Sequence, residues 1–408
     1  MGHTSFPRQK MGILFLENIH QIAQEYLERQ GYRVEVLSGA LGPDELAKAL
    51  EPVHILGVRS KTTVSTEALA RAKNLLAIGC FCIGTDQVDL EAAQHMGVPV
   101  FNAPFSNTRS VAELTMAEVV MLSRKASQRS LELHSGLWQK SAKGCFEVRG
   151  KTLGIVGYGN IGPQVGLLAE AFGMSVLFYD INRKLPLGTA RATTTLNELL
   201  EQSDFVTMHV PDTEATRGMI GNSELRSMRV GSYLLNLSRG SVVDLDALSV
   251  SLKDGHLAGA AIDVFPSEPE SNGARFNSCL LGLQNVILTP HIGGSTEEAQ
   301  RNIGVEVSES ILGFIERGST AGAVNFPEVD LPFNTESHRV LNIHRNVPGV
   351  LGQINRLVSD SGANITGQVL STNREIGYMI MDVSPELSRS IKEEIDQLDA
   401  NIRTRLLF

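Results

Sequence analysis

The apolar positions of this chain fall into two long alternating series and one short one. Between residues 11 and 101, compact apolar runs at 11–16, 34–37, 53–58, 75–78 and 98–101 are separated by segments at 20–29, 44–50, 66–72 and 89–95 with helical spacing. Short apolar runs that alternate with amphipathic helices predict a parallel sheet covered on both faces. A helical stretch from Ser110 to about Ser130 follows, with Ser110 and Glu113 at the spacing of a capping box.

A second series starts at Lys151. A strand at 152–156, a glycine-rich turn, a helix through Phe172 and a strand at 175–179 are followed by apolar runs at 205–208, 233–237, 258–262 and 286–288. This is the pattern of a complete doubly wound domain. A helix over about 296–317 leads away from it, and Gly322, Pro327 and Pro332 mark 321–337 as a linker. Residues 338–408 change rhythm. Strands at 338–344, 365–371, 376–383 and 402–407, with helices at 350–361 and about 387–398, give the βαββαβ order of ferredoxin-like modules. The predicted fold class is α/β, with three modules.

Composition narrows the function classes. A chain of 408 residues exceeds what one core supports. A net charge of −9 leaves no basic stripe for a nucleic-acid backbone. The start MGHTSFPRQK has neither an apolar core nor a cleavage site, so no signal peptide is expected, and no apolar run reaches membrane-spanning length. Cys80, Cys82, Cys145 and Cys279 form no CxxC pair and no disulfide framework, which fits a reduced, cytoplasmic protein without a structural metal. Cys80 and Cys82 read as buried thiols.

The first candidate site lies at the start of the second series. Gly157, Gly159 and Gly162 form a G-x-G-x-x-G directly between a strand and a helix. Gly157 permits the tight turn, Gly159 lets the backbone approach a pyrophosphate, and Gly162 allows close helix–strand packing. The free N–H groups of the helix start favour that anion. Asp180, at the end of the next strand, is placed to accept from ribose hydroxyls and to repel a 2′-phosphate, which favours NAD over NADP. Arg183 nearby softens that discrimination.

Three downstream segments each put a polar residue just past a strand, where ligands bind in open α/β sheets. Arg239 suits a carboxylate clamp, because its planar fork binds two oxygens and stays charged. His291 suits proton exchange near neutral pH, and Glu268 suits the anion that orients and stabilises its imidazolium. Asp263 suits a nicotinamide carboxamide. Each residue alone has a bland rival, such as a surface ion pair or a loop histidine. Their occurrence together at three strand ends of one dinucleotide domain is the signal.

These motifs identify a resemblance. Residues 11 to about 325 are similar to the D-isomer-specific 2-hydroxyacid dehydrogenases in Gly157–Gly162 with Asp180, the segment from Ser203 to Pro211, Asn236–Gly240, Asp263–Pro269 and Pro290–Gly294. The resemblance implies Arg239, Glu268 and His291 as catalytic residues. It also implies cofactor contacts from Asn160, Ile161, Asp180, Leu237, Ser238, Arg239, Asp263, His291, Ile292, Gly293 and Gly294. It further implies a flavodoxin-like substrate-binding domain of residues 1–106 and 295–325, an NAD-binding domain of 107–294, and a homotetramer. In this family the active site is the cleft between the two domains.

Arg59 and Ser60, after the strand at 53–58, together with Asn107 and Lys140, are the candidates to hold a phosphorylated acid, for which 3-phosphoglycerate is expected. The rivals are other 2-hydroxy acids (glycerate, hydroxypyruvate or a 2-oxo dicarboxylic acid) and a nucleotide-sensing regulator on the same fold. Residues 338–408, after a linker at 326–337, resemble an ACT domain. By that resemblance His344, Asn346 and Asn364 would bind L-serine, usually across a domain pair. Arg345 and Val347 depart from the pattern expected of serine-binding members.

Overall fold

The protein is described by a computed structural model over residues 6–269 and 273–408. It divides into two compact units, one formed by residues up to Ser106 with Gln300–Phe408 and the other by Asn107–Ala299.

The first unit opens with β1 (Gly12–Phe15), α1 (Gln21–Arg29), β2 (Arg33–Val36), α2 (Pro43–Ala49), β3 (Ile55–Val58), α3 (Thr66–Arg71), β4 (Ala77–Cys80), α4 (Leu90–His95) and β5 (Val100–Phe101). The strands are all parallel in the order β2-β1-β3-β4-β5. β3 and β4 are buried along their whole length, which is why they read as continuous apolar runs. The order reverses between β1 and β3, so the carboxyl ends of these two strands form the switch point of the sheet.

The second unit holds α5 (Thr108–Arg124), α6 (Ala126–His134), β6 (Thr152–Val156), α7 (Ile161–Ala171), β7 (Ser175–Tyr179), β8 (Arg191–Ala192), α8 (Leu196–Gln202), β9 (Phe205–Met208), α9 (Asn222–Ser227), β10 (Tyr233–Asn236), α10 (Leu245–Lys253), β11 (Gly259–Ile262) and β12 (Val286–Leu288). Its parallel sheet runs β12-β11-β10-β9-β6-β7-β8. The helix expected from Ser110 is two helices, because Lys125 takes a left-handed conformation (φ 53°) between them. The expected capping box is absent. α5 starts at Thr108, Glu113 pairs with Arg109, and the Ser110 hydroxyl meets that of Thr296 at 2.8 Å. The edge strand β8 was not foreseen, since two residues are too few to show a period.

The chain continues through α11 (Glu297–Arg317), β13 (His338–Arg345), α12 (Val350–Asp360), β14 (Ile365–Thr372), β15 (Ile376–Val383), α13 (Ser388–Asp396) and β16 (Asn401–Leu407). The four strands form an antiparallel sheet in the order β14-β15-β13-β16, so the βαββαβ expectation holds. Successive side chains of β15 point to opposite faces. Met379, Met381 and Val383 join Ile354 and Ile391 of the covering helices, whereas Tyr378 and Ile380 join Phe314 of α11 and Phe101 in one core. The stretch expected as a linker is packed rather than extended in solvent. Phe326 and Val329 are buried in that shared core, and the buried Thr320 hydroxyl donates to the Pro327 carbonyl at 2.7 Å. Arg339 is itself buried, with Nε and Nη2 donating to Asp382 at 2.7 and 2.8 Å and the remaining donors directed at three carbonyls.

No helix among the described residues is long and apolar enough to cross a membrane, and none of their His, Cys, Asp and Glu side chains groups as a metal site. No disulfide joins the four cysteines; Cys80 is buried and Cys82 partly so.

Candidate active site

The glycine turn after β6 is built as its spacing predicts. Gly157 has φ 92°, and a Cβ there would sit 2.3 Å from the His209 carbonyl oxygen; a Cβ on Gly162 would sit 2.4 Å from the Gly157 oxygen. Both positions therefore exclude any side chain. Gly159 differs: nothing lies within 4 Å of the Cβ it lacks, and it is exposed. That open space beside Asn160 and Ile161, which begin α7, is the cradle a pyrophosphate needs at a helix N-terminus. The Asp180 carboxylate accepts hydrogen bonds from the Tyr158 and Asn182 amides at 2.8 Å each. It holds the glycine turn and stays partly exposed beyond β7. These residues fit a dinucleotide.

The catalytic candidates converge within this unit. Beyond β10, Asn236 ties down its turn by donating to the Arg239 carbonyl at 2.9 Å and accepting from Ser238. Gly240 follows because a Cβ there would meet the Phe265 carbonyl carbon at 2.0 Å, so the Arg239 turn lies directly on the segment that carries Glu268. Arg239 Nη1 donates to the Ser238 carbonyl at 2.8 Å. Glu268 accepts the Phe265 amide at 3.0 Å and meets His291 Nδ1 at 2.8 Å.

His291 is held in the left-handed region (φ 54°), a strain that surrounding bonds must enforce. Its amide donates to the Asp263 carbonyl at 2.8 Å. The Asp263 carboxylate accepts from the amides of Ile292 and Gly293 at 2.8 Å each and from the Thr289 hydroxyl at 2.6 Å. Asp263 is 1% exposed and is in the first place the clamp of the histidine loop, a role its position at a strand end does not announce.

The electrostatics follow from this geometry. The hydrogen bond to Glu268 raises the His291 imidazole above its usual range, against partial burial and the nearby Arg239 charge, which lower it. Burial on its own would raise Glu268, but the bonds from His291 and the Phe265 amide bring it below the ordinary carboxylate range. Glu118 on α5, buried near Asp263, is pushed up to about 8 by desolvation and that neighbouring charge. It was not singled out from the sequence, where it is one more acidic residue in a helix.

The other site candidates are placed as follows. Arg59 and Ser60 follow β3 at the switch point of the first unit's sheet, where the Glu17 carboxylate accepts hydrogen bonds from the amides of Lys61 and Thr62 at 2.9 and 2.8 Å. Asn107 precedes α5, with its side-chain nitrogen packed against Gly294. Lys140 is exposed in the segment after α6.

The three effector candidates do not meet in one chain. His344 is buried and bonds to Asn342 at 2.9 Å, and the exposed Asn346 donates to the Asn373 carbonyl at 2.7 Å. Asn364 precedes Ile365, which pairs with Val383 and so with His338, at the opposite end of the sheet. Six or seven residues of strand put it about 20 Å away.

Comparison with known proteins agrees with this fold. Residues 116–293 match the family model "D-isomer specific 2-hydroxyacid dehydrogenase, NAD binding domain", and residues 341–403 match "AHAS small subunit-like ACT domain". The chain is 55% identical over 405 residues to a D-3-phosphoglycerate dehydrogenase of Dictyostelium discoideum, covering 99% of each. It is 47% identical over 411 residues to that of Escherichia coli K12, covering all of both. A solved D-lactate dehydrogenase from Aquifex aeolicus, complexed with NAD and lactic acid, superposes with a TM-score of 0.68 at 27% identity, over 78% of this chain and all of that one. Fold and site thus define an NAD-dependent 2-hydroxyacid dehydrogenase with an appended ACT domain. Within that class, the chain belongs to the D-3-phosphoglycerate dehydrogenase family.

Proposed function

We propose that the chain oxidises 3-phosphoglycerate to 3-phosphooxypyruvate, reversibly, in L-serine synthesis, with Arg239, Glu268 and His291 as its catalytic residues. The observation that carries this is the 2.8 Å contact of His291 Nδ1 with Glu268. An Nδ1–H donated to the carboxylate leaves the Nε2 lone pair free, which makes Nε2 the atom that takes the 2-hydroxyl proton. As that proton arrives, Glu268 stabilises the imidazolium. Arg239 holds the substrate carboxylate and the oxygen that becomes a carbonyl. NAD, when bound, supplies the acceptor for the hydride leaving C2.

Gly157, Gly159, Asn160, Ile161 and Gly162 would hold its pyrophosphate, and Asp180 its ribose. Leu237 and Ser238 on the Arg239 turn and Ile292, Gly293 and Gly294 after the histidine would contact the rest of the cofactor, and Asp263 Oδ2, with one bond made, keeps a lone pair for the carboxamide. Arg59, Ser60, Asn107 and Lys140 are the groups for the substrate's anionic ends. His344 and Asn346 of one copy with Asn364 of another would bind L-serine, in a cytoplasmic homotetramer.

The test is NADH formation with a substrate panel. 3-Phosphoglycerate should exceed glycerate in kcat/KM, and Arg59→Ala should erase most of that preference while L-serine lowers the rate. Equal kcat/KM for both acids would sink the substrate assignment.

A further inference from the structure

Within the first unit, a cavity of about 550 Å³ lies among Met11 just before β1, Tyr32 just before β2, the end of α11 and strand β16. It is at the amino ends of β1 and β2, whereas Arg59 and Ser60 follow the carboxyl end of β3, so it is not the substrate site.

Arg405 on β16 donates from Nη2 to the Ile315 carbonyl at 3.0 Å and lies over the Phe314 ring. Its Nη1 is buried without a hydrogen-bond partner, as are Arg8 Nε and the hydroxyl of Ser337, itself 7% exposed. Among the described residues no carboxylate lies within 4 Å of Arg405. Glu316, the acid of the cavity wall, is engaged by Arg8 at 2.8 Å and by the Tyr32 hydroxyl at 3.1 Å. Burial pulls the Arg405 guanidinium down to about 10, the direction for a desolvated cation whose neighbour Arg403 repels it further. Arg339, 1% exposed, has every donor matched by Asp382 and carbonyls. Buried donors are ordinarily matched in this way, and Arg405 Nη1 is not.

We propose that this cavity binds a small organic anion, with a phosphate or carboxylate head on Arg405 Nη1, Arg8 Nε and the Ser337 hydroxyl and an apolar body against Phe333 and Phe408. A guanidinium fork with a hydroxyl is the chemistry that recognises such heads, and Phe333 and Phe408, two of the aromatic side chains on its wall, select an organic body over a bare ion.

The experiment is thermal denaturation of the full-length protein at constant ionic strength, with chloride replaced by inorganic phosphate or by phenyl phosphate. Phenyl phosphate at about twenty times a millimolar Kd should raise Tm by about 1–3 °C, and inorganic phosphate by less. Ser337→Asp places a carboxylate in the cavity. It should raise Tm without ligand and remove the phenyl phosphate response, as should Arg405→Met, which serves if the first variant does not fold. Arg59→Ala should keep the response. No shift in the wild-type protein, or a response that survives Ser337→Asp and Arg405→Met but disappears in Arg59→Ala, overturns the proposal. Equal shifts from the two phosphates would remove the organic body from it.

Discussion

Gly159→Ala should separate cofactor binding from folding. Position 159 is not in the left-handed region, and the added methyl meets nothing within 4 Å. Removing glycine from such a position lowers the entropy of the unfolded chain, worth about 0.4–1 kcal/mol of added stability, so Tm should hold or rise slightly. The same methyl stands where the pyrophosphate must approach the turn. Loss of one charge-assisted hydrogen bond there, about 1.5–3 kcal/mol, weakens NADH by about 10- to 150-fold. Gly157→Ala is the contrasting case. Its methyl would lie 2.3 Å from the His209 carbonyl oxygen at φ 92°, and the conformational penalty of about 1–2 kcal/mol adds to a backbone overlap of about 1–3 kcal/mol. That variant should lose several degrees of Tm as well as affinity. NADH fluorescence titration beside thermal denaturation reads both quantities. Wild-type NADH affinity in a fully folded Gly159→Ala would refute the placement of the pyrophosphate on this turn.

Glu268→Gln removes the group that raises His291. Partial burial and Arg239 then lower the imidazole, so the acid limb of the kcat/KM–pH profile should move to lower pH while the plateau falls by about 10²–10⁴. An unmoved limb would show that the pair does not set the histidine's titration. Arg339→Met leaves the carboxylate of Asp382, whose side chain is 4% exposed, without its partner. Stranding a buried charge costs about 3–5 kcal/mol, and combining Arg339→Met with Asp382→Asn should recover part of it in denaturant titration.

Much of the site was legible because its chemistry is local in the chain. Gly157, Gly159 and Gly162 declare their roles by spacing, since turn geometry, phosphate approach and helix packing each need a missing Cβ at one position. Arg239, Glu268 and His291 were readable only as three strand ends of one domain, and the direct contact of two of them needed coordinates. Glu118 and Glu17 gave no signal. A carboxylate that clamps a loop, or one pushed up in pKa beneath another, looks like a solvated acid until its surroundings are known. Asp263 showed its position but not its work, because what it binds is the backbone of a loop that returns from far along the chain.

Hydrophobic periodicity and glycine spacing were sufficient to determine two parallel sheets and an antiparallel one, since both the side-chain period and the turn constraint act over a few residues. Tertiary structure alone decided the rest. It turned an expected linker into part of a core shared by α11 and the antiparallel sheet, and it kinked one helix into two at Lys125. It set Asn364 at the far end of the sheet from Asn346. It also left Arg405 Nη1 buried without a hydrogen-bond partner, because burial and pairing depend on which distant segments come to lie beside a residue.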